Sequence, residues 1–222
     1  MNETLEVVHC YTGDASLVRG TMDRRHDPLL ILSPADAAVA IEGFECRASG
    51  TRGWKGSHTW QRQLEHWRIA LGSDAEWFLL NDSDSFCLGP VPAYLYDDPN
   101  MFWSNVLCHE REHLESDRPN FQPPYFLHRS VLIELEVAMS LFDPENLDGI
   151  EFGTGAFRFT REEFVKEAAI DGMYTHFIVN VLERPWSDYP NGATTWPPGT
   201  DLLAAIANGA DMVHGLKEPL TR

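Results

Sequence analysis

With 222 residues and the composition of an ordinary globular protein, the chain is long enough for one domain with a substantial core. Its formal net charge of −17, from 34 acidic and 17 basic residues, disfavours nucleic acid and anionic membranes as partners. It has no apolar run of the roughly 18 to 20 residues that a membrane-spanning helix needs, and its four cysteines stand singly. The first residues lack the pattern of a signal peptide, so we expect a cytoplasmic protein without a disulfide framework.

Apolar runs that end in polar turns dominate the first half of the chain. Strands are predicted over residues 5–11, 27–36, 40–46 and 77–80, and a helix over residues 58–71. Continuous apolar strands that alternate with helices form parallel sheets covered on both faces. The pattern therefore predicts an α/β fold with a mainly parallel central sheet flanked by helices.

The second half of the chain continues with mixed patterns. Residues 100–107 predict a strand, residues 130–142 a helix, 152–156 a glycine loop, 173–182 an amphipathic stretch, 185–199 a proline-rich loop and 201–207 a short helix. A further helix is predicted to begin at Thr160, where Thr160 and Glu163 fit a capping box. There is no internal repeat and no long linker, which favours a single domain.

Two carboxylates, Asp82 and Asp84, are separated by one residue and follow the predicted strand over residues 77–80. At that spacing both acids can face a single hard cation bound to phosphate oxygens, although the same residue types also form ordinary solvated turns. Open parallel sheets bind ligands at the carboxyl ends of their strands. We therefore expect the acid pair to share a cleft with Tyr11 and Asp36, which would contact a base or ribose.

The order of motifs along the chain resembles a GT-A nucleotide-sugar glycosyltransferase. The motifs are Asp82-Ser83-Asp84 after a strand, a glycine loop around Gly153 and Gly155, an acid that opens a helix at Ile170-Asp171-Gly172, and the tail His214-Gly215-Leu216-Lys217. The resemblance implies one GT-A-like, Rossmann-like domain over residues 1–222. Residues 1–108 would form the nucleotide-sugar-binding half, and residues 109–222 the acceptor-side half with the metal and diphosphate tail.

The resemblance also implies roles for particular residues. Asp82, Asp84 and His214 would hold Mn²⁺ or Mg²⁺ on the diphosphate of a nucleoside-diphosphate sugar, with a UDP-sugar favoured. Lys217 would add a point charge for the diphosphate, and Asp171 would act as the catalytic base toward a hydroxyl acceptor. The chemistry agrees, because the departing diphosphate gains negative charge that a divalent cation neutralises.

Some features remain open at this level. Lys55, in a glycine-rich loop before a helix, is a candidate contact for the donor phosphates or for an anionic acceptor. A glycan, a protein, a small molecule and a modified DNA base are all compatible acceptors, and the negative charge makes the last the least favoured.

Two other classes of protein compete with a glycosyltransferase. His109, Glu110 and His113 form the His-Glu-x-x-His pattern of zinc metallohydrolases, which needs a helix so that both histidines share one face. Pro119 ends any such helix soon afterwards, and a third ligand would have to come from His128, Glu134 or Glu136. The second alternative is a non-catalytic binder of nucleotide sugars or carbohydrates.

Overall fold

A computed structural model describes residues 3–13, 15–21, 25–26, 28–49, 59–107, 119–141, 170–194 and 201–215. Over these ranges the protein has an α/β fold in which a seven-stranded, mostly parallel central sheet is packed against helices, with a second sheet of three short strands. Among the helices so described, none is long and apolar enough to cross a membrane.

The secondary structure alternates between strands and helices through the first half of the chain. The strands are Thr4–His9 (β1), Leu29–Ser33 (β2), Glu45–Ala48 (β3), Trp77–Asp82 (β4), Ser85–Cys87 (β5), Phe102–Leu107 (β6), Asn120–His128 (β7), Trp186–Asp188 (β8), Gly192–Thr194 (β9) and Met212–His214 (β10). The helices are Ser16–Gly20 (α1), Thr59–Leu71 (α2), Arg129–Ser140 (α3), Ile170–Thr175 (α4), which continues as the π-helical segment His176–Val181, and Leu202–Ala207 (α5).

The central sheet has the strand order β3-β2-β1-β4-β7-β6-β8. β7 runs antiparallel to both of its neighbours, and the other pairings in this sheet are parallel. β2 and β3 lie on one side of β1, and β4 lies on the other side. The order in which strands are added to the sheet therefore reverses at β1. This order of the first four strands is compatible with a Rossmann-like sheet, whose ligand crevice opens at the carboxyl ends of the strands beside that reversal.

The strand β4 is buried on both of its faces. Phe78 and Leu80 belong to the core formed with α2, α3 and α4, whereas Trp77 and Leu79 belong to a second core on the opposite face. Side chains alternate between the two faces of a strand, so a strand at the centre of a covered sheet is apolar at nearly every position. Only the last residue of β4, Asp82, is partly exposed.

Three sequence predictions about the fold were wrong in detail. β3 occupies residues 45–48 instead of 40–46, because this edge strand is mostly exposed and lacks an apolar run. Residues 121–126 form most of β7, a strand that the sequence pattern missed because Pro123 and Pro124 lack the N–H groups of a regular ladder. In the described sheet, neither proline is paired with a residue of β4 or of β6. The proline-rich stretch 185–199 contains the short strands β8 and β9.

Candidate metal site and adjoining crevice

The acid pair lies where the chain passes from β4 in the central sheet to β5 in the small sheet. Asp82 is the last residue of β4, and Asp84 lies in the tight turn that leads to β5. The backbone N–H of Asp82 donates a hydrogen bond of 2.8 Å to the buried Ser85 hydroxyl. This bond closes the turn and holds the two carboxylates at the carboxyl edge of the central sheet.

His214 reaches this turn through pairing within the small sheet. β10 lies antiparallel to β5, which places His214 opposite Ser85, and the N–H of Gly215 donates to the Asp84 carbonyl over 3.0 Å. His214 Nε2 is consequently 3.9 Å from Asp84 Oδ1. The other ring nitrogen, Nδ1, lies 3.4 Å from the Thr194 hydroxyl on β9.

One ligand atom each of Asp82, Asp84 and His214 lies within 4.8 Å of the other two. Among the residues that the structure describes, no other group of three Asp, Glu, His or Cys side chains lies as close together. Carboxylates suit Mg²⁺ and Mn²⁺, and imidazole is a common ligand of transition metals, so this donor set is compatible with a divalent cation. The three residues are therefore a candidate site for the predicted divalent cation.

A buried ion pair that the sequence analysis did not identify lies behind the acid pair. The Glu6 and Arg25 side chains are 1% and 0% exposed, and Arg25 Nη1 lies 2.8 Å from Glu6 Oε1. The only signal in the sequence was an acid in the middle of a predicted apolar strand. Arg25 carried no pattern that distinguished it from the neighbouring arginine.

A narrow crevice, too small to hold a water molecule, lies beside the acid pair, between the ends of β1 and β4. His9 and Asp82 are opposite one another in the ladder that joins these two strands. The crevice is lined by His9, Tyr11, Leu80, Asn81, Asp82, Tyr125 and Tyr174. Tyr11 and Asp82 both line this crevice, and their roles in binding a ligand stay predictions.

The wall of this crevice is a chain of buried hydrogen bonds. The Tyr11 hydroxyl lies 2.6 Å from His9 Nδ1 and donates to Gln63 Oε1 over 3.2 Å. Gln63 in turn donates to the Tyr174 hydroxyl, which also accepts a bond of 2.7 Å from Trp67 Nε1. These bonds connect the end of β1 to α2 and α4, so the position of the Tyr11 ring is fixed from within the protein.

Two histidines beside the crevice are neutral at physiological pH. Burial, helped by the charge of Arg62, lowers the pKa of His66 to about 3 against the opposing effect of the Ser49 backbone. Burial, followed by the unfavourable interaction of a protonated His9 with His66 and Arg62, also lowers the pKa of His9 well below its usual value. In the part of the chain that the structure describes, buried His9 Nε2 has no hydrogen-bond partner. It is a neutral group at the crevice with unused hydrogen-bonding capacity.

The structure describes only some of the other predicted site residues. Asp36 is exposed in a short 3-10 turn after β2, at the same edge of the sheet as Tyr11. Asp171 belongs to α4, as its place in the predicted helix required, but its side chain lies outside the described part. Lys55, Lys217 and the glycine loop around Gly153 and Gly155 fall on residues outside the described ranges, and so does the helix predicted from Thr160. Their roles stay predictions.

The His-Glu-x-x-His motif at residues 109–113 also lies outside the described ranges. The three side chains considered as its third ligand are engaged elsewhere. Glu134 forms an ion pair with Arg184, and Glu136 accepts a bond of 2.6 Å from Arg68. His128 Nδ1 accepts from the N–H of Ser130 and so caps α3.

The fold and the site define an α/β protein with an open, mostly parallel sheet whose carboxyl edge carries a candidate site for a divalent cation. Compared with protein-family models and with curated protein sequences, the chain matches none of them.

Proposed function

We propose that this protein is a metal-dependent glycosyltransferase of the GT-A class. It would move a sugar, as a hexosyltransferase does, from a nucleoside-diphosphate sugar to a hydroxyl acceptor, with a UDP-sugar as the favoured donor. The observation that carries the proposal is the convergence of Asp82, Asp84 and His214, whose ligand atoms lie within 4.8 Å of one another. His214 joins the acid pair from a distant part of the chain, and the three side chains lie at the carboxyl edge of the sheet, where open α/β sheets bind their ligands.

The arrangement of the site suggests where two parts of such a donor, the diphosphate and the nucleoside, would lie. The diphosphate would lie at the acid pair and His214, and a bound Mn²⁺ or Mg²⁺ would neutralise the charge that develops on the leaving group. The nucleoside would then lie along the carboxyl ends of β1 and β2, past Tyr11 and toward Asp36. The Tyr11 hydroxyl is already bonded within the protein and the Arg62 guanidinium lies over its ring, so Tyr11 would contact a base or ribose through the small part of its side chain that stays exposed.

The transfer itself needs one proton acceptor and a stabilised leaving group. In a transfer that inverts the configuration of the sugar carbon, Asp171 takes the proton of the acceptor hydroxyl as the acceptor oxygen forms its bond to that carbon. The bond between that carbon and the diphosphate oxygen breaks, and the electron pair leaves with the diphosphate. Lys217 supplies a further positive charge for this leaving group.

Thermal denaturation tests the donor part of the proposal. Mn²⁺ together with UDP is expected to raise the melting temperature, because a ligand that binds only the folded state stabilises it. The variant Asp84→Asn should lose this increase. Asp74→Asn, which changes an exposed acid before the start of β4, is the matched control and should keep it. An unchanged melting temperature with UDP, GDP and ADP in the presence of Mn²⁺ would refute the proposal.

A panel of nucleotide sugars separates a transferase from the two alternative classes. A transferase should release nucleoside diphosphate slowly from one donor even without an acceptor, and Asp171→Asn should reduce the release while donor binding persists. A binder would show binding without release. Stoichiometric zinc in the purified protein, lost in His109→Ala, would instead support a zinc metallohydrolase.

A further inference from the structure

The buried guanidinium of Arg25 binds the backbone of the acid-pair turn. Its Nη2 donates to the Ser83 carbonyl over 3.1 Å, and its Nη1 donates to the Ser85 carbonyl over 3.0 Å. These two carbonyls belong to the residues on either side of Asp84. A planar guanidinium with donors in a fixed fork holds two such acceptors in one relative geometry.

Glu6 binds both Arg25 and the end of β4. This carboxylate lies in the middle of β1 and accepts bonds from Arg25 Nη1 at 2.8 Å, from the backbone N–H of His26 at 2.6 Å and from Asn81 Nδ2 at 2.7 Å. Asn81 immediately precedes Asp82. Arg25 and Glu6 thus hold the chain on both sides of Asp82. Glu6 binds the Asn81 side chain before it, and Arg25 binds the turn carbonyls after it.

Stability alone does not account for a charged pair in this position. Removing two charges from water costs about as much as their attraction returns, and well-packed apolar side chains of similar volume stabilise a protein equally or better. The neighbouring positions of β1, such as Leu5 and Val7, are apolar and fully or nearly buried. What apolar residues would not supply is a set of directional bonds to the turn that carries Asp84.

We propose that Arg25 and Glu6 are positioning residues that hold the turn from Asp82 to Ser85 in the conformation in which both carboxylates meet His214. The inference rests on the metal site of the proposed function. It predicts that a change at Arg25 weakens binding of the cation although Arg25 does not touch it.

The test compares two arginines that bind backbone carbonyls at opposite ends of β4. Arg25→Lys keeps the positive charge beside Glu6 but removes the fork. Arg129→Lys is the matched control, because Arg129 donates to the carbonyls of Leu71, Ser73 and Ala75 before β4 begins. Two quantities are measured on the full chain: the dissociation constant for Mn²⁺ alone, by electron paramagnetic resonance of the free ion, and hydrogen exchange of peptides covering residues 82–87.

Arg25→Lys should weaken Mn²⁺ binding by about 10- to 100-fold, the range expected for residues that orient metal ligands, and should speed exchange over residues 82–87. Arg129→Lys should change neither quantity. The double variant Glu6→Gln with Arg25→Met removes both charges together, so it avoids an unpaired buried charge and should fold with the same two effects.

Unchanged exchange over residues 82–87 in both Arg25 variants would overturn the proposal, and so would equal effects in Arg129→Lys, which would show general destabilisation. If exchange rises but the unaltered protein binds no Mn²⁺, the metal site and the proposed glycosyltransferase function fail, whereas the positioning of the turn stands. If the unaltered protein binds Mn²⁺ and the Arg25 variants bind it equally well, the positioning role alone is overturned.

Discussion

His214 Nε2 lies 3.9 Å from Asp84 Oδ1, and the two side chains are 18% and 16% exposed. The pairing of β10 with β5 creates this proximity, because it sets His214 opposite Ser85 in the strand that follows the acid pair. A histidine and a carboxylate at this separation can bind one cation between them, and their partial burial limits competition from water.

Replacing His214 tests its role as a ligand. His214→Ala is expected to weaken Mn²⁺ binding by at least about tenfold, since it removes the only nitrogen of the donor set. Titration calorimetry with MnCl₂ measures the affinity. His26→Ala is the control, because the contact of His26 with Glu6 uses its backbone N–H and survives the change. Equal Mn²⁺ affinity in the two variants would exclude His214 as a ligand.

Thr194 offers a test of ring orientation. Its hydroxyl lies 3.4 Å from His214 Nδ1, the nitrogen that does not face Asp84. A partner on the second ring nitrogen fixes the orientation and tautomer of a metal-binding histidine. Thr194→Val should therefore weaken Mn²⁺ binding by up to about tenfold, and Thr194→Ser, which keeps a hydroxyl, should restore it. A serine variant no better than the valine variant would point to packing as the cause.

We expect the protein to lose stability at acid pH, because buried histidines resist protonation. Burial lowers the pKa of His176 to about 4, whereas an unfolded histidine has a pKa of about 6.5. The unfolded chain binds the proton more tightly, so the stability that neutral His176 contributes is complete above pH 6.5 and is lost as the pH falls toward 4. At pH 5 this loss is about 2 kcal/mol relative to pH 7.

Urea denaturation at pH 7 and pH 5 measures this effect. The fall in unfolding free energy should be smaller in His176→Gln by about the contribution of one histidine, roughly 2 kcal/mol. His66, with a pKa lowered to about 3, contributes a loss of the same sign and should retain it in that variant. Identical pH dependence with and without His176 would contradict the assignment.

Alanine substitutions at Gly13 and Gly43 distinguish the cost of backbone strain from the cost of a steric clash. Both have positive φ angles, of 76° and 84°, but a Cβ on Gly13 would lie 2.5 Å from the Ala37 Cβ, whereas one on Gly43 would meet nothing within 4 Å. Gly43→Ala should lower the free energy of unfolding by about 1 to 2 kcal/mol, the cost of the left-handed conformation. Gly13→Ala should cost about 1 to 3 kcal/mol more, because the clash adds to that strain. Chemical denaturation gives both values, and equal costs would show that the turn after β2 moves freely.

Much of the first half of the fold was predictable from local patterns. β1, β2, β4 and α2 were expected within a few residues of their observed bounds, since strands buried on both faces are continuous apolar runs and an amphipathic helix repeats every 3.6 residues. β7 was missed because its two prolines hide the strand pattern, and β3 was misplaced because exposed edge strands carry little apolar signal.

The sequence by itself determined which side chains are competent to bind a cation: Asp82 and Asp84 follow an apolar strand, and His214 lies in a short tail motif. Only the tertiary structure decided that the three meet, because the pairing of β10 with β5 depends on contacts between distant segments that no local periodicity encodes. The same holds for Arg25 and Glu6. A buried charge is stable only with a partner, and the identity of that partner is fixed by packing in three dimensions.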